Sequence, residues 1–324
     1  MPDLKFAKST IPDLSGRVVL ITGEFARLVS NLAYLPGAGG IGAELTVELA
    51  QKTPKRILFT GRNANAAEKT LERVRQATAA EAVTFVPCDL ASLESVRAAA
   101  DQIQAQCNGR LDLFLANAGI MAHPAGLSPD GYEVHFATNH LGHALLTQKL
   151  LPLLERTADD LSSADGSDNP PRVICTTSVG WKGGNLDFRG GLRTTQESAL
   201  LGRWVRYCNS KLANMLYARE LARRHSKLLC FSVHPGVVST GLVTVLKFTD
   251  HLFIQITNVG NIITPEQGTY NHLWAISAPC KSIEQGGFYE PVGVLSSEKG
   301  VKTKDEKYAN QLWEYTEKEL EKFM

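Results

Sequence analysis

The feature that most constrains this chain is an alternation: short runs that are apolar throughout, each followed by a stretch with helical spacing. Val18-Val19-Leu20-Ile21 is the first run, and residues 41–51 follow with Ile41, Leu45, Leu49 and Ala50 on one helical face. Arg56-Ile57-Leu58-Phe59-Thr60 leads into helical spacing over 66–78, and Val83-Thr84-Phe85-Val86 into 93–107. Leu111-Asp112-Leu113-Phe114-Leu115-Ala116 precedes a helix over 136–154. Arg172-Val173-Ile174-Cys175-Thr176-Thr177 precedes one over 209–225. Leu228-Leu229-Cys230-Phe231-Ser232-Val233 and Gly287-Phe288-Tyr289 complete seven predicted strands. A half-solvated strand alternates polar and apolar residues, so strands without alternation are covered on both faces. Joined by right-handed helical crossovers, they predict an α/β, doubly wound Rossmann fold: a mostly parallel seven-stranded sheet with helices on both faces.

Three stretches break the rhythm. Residues 157–171 are rich in Ser, Asp, Gly and Pro and read as an exposed loop, and 303–323 read as a charged, solvated outer helix. Residues 240–265 are apolar but irregular, suited to a lid. The 324 residues therefore read as one domain, 1–324, with a core over 15–240, a substrate lid over 241–270 and a C-terminal helix over 300–324. Charge is balanced, 34 Lys+Arg against 33 Asp+Glu, which argues against an electrostatic nucleic-acid binder. Six cysteines without a Cys-x-x-Cys pair fit reduced thiols in the cytoplasm. Residues 1–17 lack the apolar centre of a signal peptide, and no apolar run is long enough to span a bilayer.

After the first strand come Thr22-Gly23 and then Gly37-Ala38-Gly39-Gly40-Ile41-Gly42, directly before a helix. The second string fits G-x-G-x-x-G, in which glycines let the backbone approach a pyrophosphate at a helix N-terminus. Residues 24–36 separate the two halves, where a tight strand-to-helix turn has no room for them. At the end of the second strand, Gly61-Arg62-Asn63 offers a permanently charged guanidinium and no carboxylate. A 2′-phosphate is accommodated there, so the pattern favours NADP, with NADPH preferred over NADH.

Tyr207 and Lys211 stand four residues apart on one helical face. A phenol keeps its proton to about pH 10, and a neighbouring cation is expected to bring it nearer the range useful for proton exchange with an alcohol or carbonyl. Ser178 ends the fifth strand, where its hydroxyl can bond a substrate oxygen, and Asn139 lies near the start of the preceding helix.

These residues, with Asp89-Leu90, Asn117-Ala118-Gly119 and Pro235-Gly236 with Thr240, stand in the order of the short-chain dehydrogenase/reductase family, which the chain resembles over residues 15–245. Asp130-Gly131-Tyr132-Glu133, Asn139-His140-Leu141-Gly142-His143 and Leu186-Asp187-Phe188 are most similar to the branch containing retinol dehydrogenases and the WW-domain oxidoreductase. The resemblance implies roles. Tyr207 is the general acid in reduction, Lys211 lowers its pKa and holds the nicotinamide ribose, Ser178 orients the carbonyl and Asn139 completes the proton relay. Around the cofactor it implies Gly23, Gly37, Gly39, Gly40, Ile41, Gly42, Arg62, Asp89 with Leu90 at the adenine, and Asn117, Ala118 and Gly119. Pro235, Gly236, Val238 and Thr240 follow at the carboxamide, together with Tyr207 and Lys211 themselves. From Gly23 to Gly40 the chain takes 17 steps where the family takes 4. The excess of thirteen can be encoded between a donor-like GTGAGT and an acceptor-like CAG, as a retained intron or a gene-model error would leave it.

The expected activity is interconversion of a carbonyl and an alcohol on a fairly lipophilic small molecule, without metal. His140 and His143 form His-x-x-His but have no carboxylate or cysteine at ligand spacing. Trp181, Trp204 and Phe188 suit a pocket wall or plain packing. The apolar 243–246 and 252–254 suit a lid, a peripheral membrane contact or a second subunit. The alternative from another class is a dinucleotide-binding sensor or scaffold, should 24–36 disrupt the phosphate turn.

Overall fold

A computed structural model of the protein describes residues 4–23, 40–79, 82–165, 169–195, 201–238, 262–297 and 305–324. The strands are β1 (Val18–Thr22), β2 (Arg56–Gly61), β3 (Val83–Pro87), β4 (Leu113–Ala116), β5 (Arg172–Thr176), β6 (Leu229–Val233), β7 (Val237–Val238), β8 (Ile262–Ile263), β9 (Phe288–Glu290) and β10 (Val294–Leu295). The helices are α1 (Gly40–Ala50), α2 (Ala64–Ala77), α3 (Leu93–Cys107), the single turn α4 (Val134–Phe136), α5 (Gly142–Asp165), α6 (Gly202–Arg224), α7 (Pro265–Ser277) and α8 (Glu306–Leu320). Between α4 and α5 the residues Ala137–Leu141 form a π turn, in which the Gly142 amide reaches back to Ala137 O.

The main sheet has the order β10-β9-β6-β5-β4-β1-β2-β3, and every neighbouring pair except β10 with β9 is parallel. The chain winds outward from β1 to β3 on one side and from β4 to β6 on the other. The strand order therefore reverses between β1 and β4, and a crevice opens at their carboxyl ends. Alternate residues along each strand feed two cores. Val18, Leu20, Phe114 and Val173 pack with α3, α5, α6 and α8. Val19, Ile21, Leu115 and Ile174 pack with α1, α2 and α7. This two-sided burial is why the strands are apolar throughout.

Helix starts follow local chemistry. Asn63 Oδ1 accepts from the Ala66 amide at 3.1 Å, Ser92 Oγ from the Ser95 amide at 3.3 Å, and Thr264 with Gln267 closes a capping box around Pro265.

The structure corrects three expectations. Among the described residues the main sheet has eight strands, not seven. The added β10 is a two-residue, solvent-facing edge strand that Gly293 turns back onto β9 at φ +70°, so it leaves no periodic signal. Residues 157–165 continue α5: Thr157 is buried, donating to Leu153 O at 2.8 Å and accepting from the Leu111 amide at 2.9 Å. Its short polar neighbours only mimic a loop. The terminal helix is not merely solvated, since Ala309, Leu312, Thr316 and Leu320 are wholly buried on one stripe. Beside them Trp313 stacks on Tyr217 at 5.2 Å and 14°.

No helix among the described residues is long and apolar enough to cross a membrane. Residues 24–36, and 241–261 of the stretch expected to act as a lid, lie outside the described residues; 262–270 belong to β8 and the start of α7.

Candidate active site

At the end of β1, Thr22 ties three segments together. Its hydroxyl accepts from the amides of Asn117 at 2.9 Å and Ala118 at 3.1 Å, and its carbonyl accepts from Asn117 Nδ2 at 2.9 Å. α1 starts over this turn. A Cβ placed on Gly42 would lie 3.0 Å from Asn117 Nδ2 and 3.1 Å from Gly23 Cα, so only glycine lets the helix approach the turn this closely. Gly23, Gly40, Ile41, Gly42, Asn117 and Ala118 thus belong to one constellation around the β1–α1 connection. Gly37, Gly39 and Thr240 lie outside the described residues.

One step along the β4 end the second constellation begins. A Cβ on Gly119 would meet Asn139 Oδ1 at 3.1 Å and Lys211 Nζ at 3.3 Å. Asn139 is buried in the π turn, where Oδ1 accepts from the Ile120 amide at 2.8 Å and Nδ2 donates to Ile120 O at 3.0 Å and Ser210 Oγ at 2.8 Å. Lys211, on α6, is also buried and donates to Thr176 O at 3.2 Å. Across α6, a Cβ on Gly180 would lie 3.4 Å from Tyr207 Cε1 and 3.6 Å from Ser178 Oγ. The hydroxyl of Ser178 accepts from the Gly180 amide at 3.2 Å and caps the turn Val179–Gly183. Ser178, Tyr207, Lys211 and Asn139 therefore gather at the carboxyl ends of β4 and β5.

Electrostatics at this site run differently from the expectation. The Lys211 ammonium stands 5.7 Å from the centre of the Tyr207 ring, yet burial pushes the phenol up to about 12, with the Ser178 hydrogen bond opposing it. Burial likewise draws Lys211 down to about 8, offset slightly by Cys175. Loss of solvent is the largest cause at both groups.

The remaining expected residues surround these two constellations. Arg62 is exposed directly beyond β2, beside Asn63. Asp89 stands beyond β3, where Oδ1 accepts from the Ala91 amide at 3.0 Å, and Leu90 is buried under the start of α5. Pro235 and Gly236 follow β6, with Gly236 at φ +93°, and Val238 reaches the α1 end: a Cβ on Gly268 would meet both Val238 and Ile41. Trp181 packs against Phe288, and Phe188 against Tyr308 and Tyr315 of α8.

A dinucleotide fits what is present. Backbone stripped of side chains at Gly23, Gly42 and Gly119 forms the cradle, α1 opens toward it, and Lys211 brings a desolvated amine to its inner end. His234, between β6 and Pro235, keeps Nδ1 buried without a partner, a polar atom left for a ligand at the same sheet edge. Sequence reasoning passed over His234, although its place just before Pro-Gly at a strand end was visible. It also passed over the role of His143, whose Nε2 lies 2.8 Å from Thr22 Oγ1 while His140 turns away to Thr316 Oγ1 at 2.9 Å.

Comparison with known proteins agrees with this architecture. A family model described as short chain dehydrogenase matches residues 31–166. A short-chain dehydrogenase/reductase of Aspergillus calidoustus is 31% identical, covering 99% of this chain and 98% of its own length. Human retinol dehydrogenase 11 is 30% identical, over 93% of this chain and 85% of its own. The crystal structure of NADPH-bound carbonyl reductase from chicken fatty liver shares the fold, with TM-score 0.62 and 20% identity over 90% of this chain and 97% of that one. With relatives alike in sequence over nearly their whole length, the chain belongs to the short-chain dehydrogenase/reductase family, in its retinol dehydrogenase-like branch.

Proposed function

We propose that the protein is an NADP-dependent oxidoreductase that interconverts a carbonyl and an alcohol on a lipophilic small molecule, using Ser178, Tyr207, Lys211 and Asn139. The observation that carries this reading is the convergence of those four side chains on Gly119 and Gly180, at the sheet edge where a dinucleotide fits. The bound dinucleotide supplies the hydride. Tyr207, whose phenol holds its proton well past neutral pH, donates that proton to the carbonyl oxygen, and the Ser178 hydroxyl orients the same oxygen. Lys211 binds the ribose and stays charged below about pH 8. Asn139 fixes the far end of the proton path. A phenol near 12 serves as an acid at neutral pH. In the reverse, oxidising direction the same phenol oxygen takes the proton back from the alcohol, so one set of residues serves both directions.

Arg62, placed at the end of β2 with no carboxylate beside it in sequence, supports NADPH over NADH. Leu201 and Val205 are exposed on the first turns of the helix that carries Tyr207, which supports an apolar substrate. Six free thiols suit a reducing compartment, the cytoplasm.

Fluorescence titration with NADPH and NADH, followed by a carbonyl panel, tests the proposal on the chain with and without residues 24–36. Tyr207→Phe is expected to lower kcat at least about a hundredfold with NADPH affinity nearly unchanged. A variant as active as the parent would sink the mechanism. Tight NADPH binding with no turnover of any carbonyl would favour a sensor or scaffold instead.

A further inference from the structure

His143 has no part in the roles assigned above, yet its hydrogen bonds can be assigned one by one. Thr22 Oγ1 accepts from the Asn117 and Ala118 amides, which uses both of its lone pairs. Its single proton must then be donated, and His143 Nε2 at 2.8 Å is nearer than Leu115 O at 3.4 Å. On the other side of the ring, Nδ1 lies 2.9 Å from Asn139 O, a carbonyl that can only accept. Nδ1 therefore carries the proton and Nε2 is bare: a neutral imidazole in one tautomer, with every donor and acceptor matched. The ring is buried, so losing either partner leaves a polar atom unsatisfied.

This ring joins two places that proton and hydride chemistry must hold in register. One is the turn at the end of β1, where Thr22 orders Asn117 and Ala118 beside Gly23 and Gly42. The other is the π turn carrying Asn139, whose carboxamide meets Lys211 Nζ across Gly119. Resting on the function proposed above, we propose that His143 is a positioning residue that locks the nucleotide turn to the Asn139 end of the proton path through its Nδ1–H tautomer. In this role it acts through Thr22 and Asn139.

The two halves of the ring can be separated by substitution. In His143→Asn the amide NH2 stands near Nδ1, keeping a donor for Asn139 O but removing the acceptor for Thr22. In His143→Gln the amide oxygen reaches toward Nε2, keeping the acceptor and removing the donor. The Asn variant is expected to weaken NADPH binding about tenfold with kcat within about threefold of the parent. The Gln variant is expected to show the reverse. Each change amounts to the loss of one buried hydrogen bond. Imidazole 15N shifts of the dinucleotide-free parent, from pH 6 to 8, are expected to show protonated Nδ1 and bare Nε2 at His143. An Nε2–H tautomer would overturn the proposal, as would two variants that lose affinity and kcat in parallel or keep both. A parent that binds no dinucleotide would refute the proposed function instead, and the 15N measurement would still judge the lock.

Discussion

Alanine at Gly119 puts one methyl group between the two groups said to work together. Its carbon would lie 3.1 Å from Asn139 Oδ1 and 3.3 Å from Lys211 Nζ, closer than such contacts settle, so one neighbour must give by a few tenths of an ångström. Gly119 is not among the residues with positive φ, so the backbone accepts alanine without strain. Hydrogen bonding decides which neighbour moves. The Asn139 side chain makes three bonds and Lys211 Nζ makes one, at 3.2 Å. At about 1 kcal/mol each, moving Asn139 costs about 3 kcal/mol and moving Nζ about 1, so the ammonium swings away.

A full ångström of misplacement costs about a hundredfold in rate, and a few tenths is expected to cost about tenfold in kcat/KM, or about 1.4 kcal/mol. The methyl group also removes more water from an amine already drawn down to about 8, so the high-pH limb of activity moves to lower pH. Steady-state carbonyl reduction from pH 6 to 9.5, with thermal melting alongside, measures both effects. Gly142→Ala is the contrast: its methyl would collide with the backbone oxygen of Leu90, which cannot swing, and about 3 kcal/mol of stability should go instead. A folded Gly119→Ala enzyme with parental rate and pH limb would refute the claim that Lys211 and Asn139 act across this glycine.

Two further outcomes concern stability. Burial holds His140, His143, His234 and His272 neutral, with pKa values of about 3, 4, 3 and 4 against 6.5 in the unfolded chain. The unfolded chain therefore binds more protons as pH falls from 6.5 toward about 3, and stability is lost through that window. At pH 5 each histidine accounts for about 2 kcal/mol, and four of them match a typical domain's total. Urea unfolding followed by circular dichroism should show stability falling between pH 7 and pH 5, and an unchanged stability over that range would show that these rings are not held neutral. Trp313→Ala removes the stack on Tyr217 and the Arg224 guanidinium 4.7 Å above the indole. A loss of about 3–5 kcal/mol is expected in urea unfolding, and a loss under about 1 would make α8 peripheral to the core.

How much of this was legible in the sequence follows from what each element buries. β1, β2, β5 and β6 are covered on both faces, so burial wrote itself as continuous apolar runs and both the strands and their winding could be read. β10 carries almost no buried surface, and its existence depends on one glycine turn. The end of α5 was missed, and α8 was read as a helix but a merely solvated one, for a different reason: composition masked periodicity. Leu150, Leu153, Leu154 and Ala158 continue a helical stripe into the Ser-Asp stretch, and Ala309, Leu312, Thr316 and Leu320 do the same among charges.

At the candidate site the same division holds between neighbours along the chain and neighbours in space. The spacing of Tyr207 and Lys211 is a local fact of an α-helix, and it was readable. The meeting of Lys211 with Asn139 is not local, because it needs the π turn to deliver Asn139 and the β4 end to leave a bare glycine between them. His-x-x-His reads as a metal pattern only while Thr22 and Thr316 are out of sight. The proton inventory shows the limit best. Spacing reveals which charge stands near a phenol but not how much water packing removes, and here the water decides, carrying Tyr207 up to about 12 and Lys211 down to about 8. It follows that substitutions which alter packing at Gly119 or Gly180, without touching a charge, should retune this chemistry as strongly as substitutions of the ionisable groups themselves.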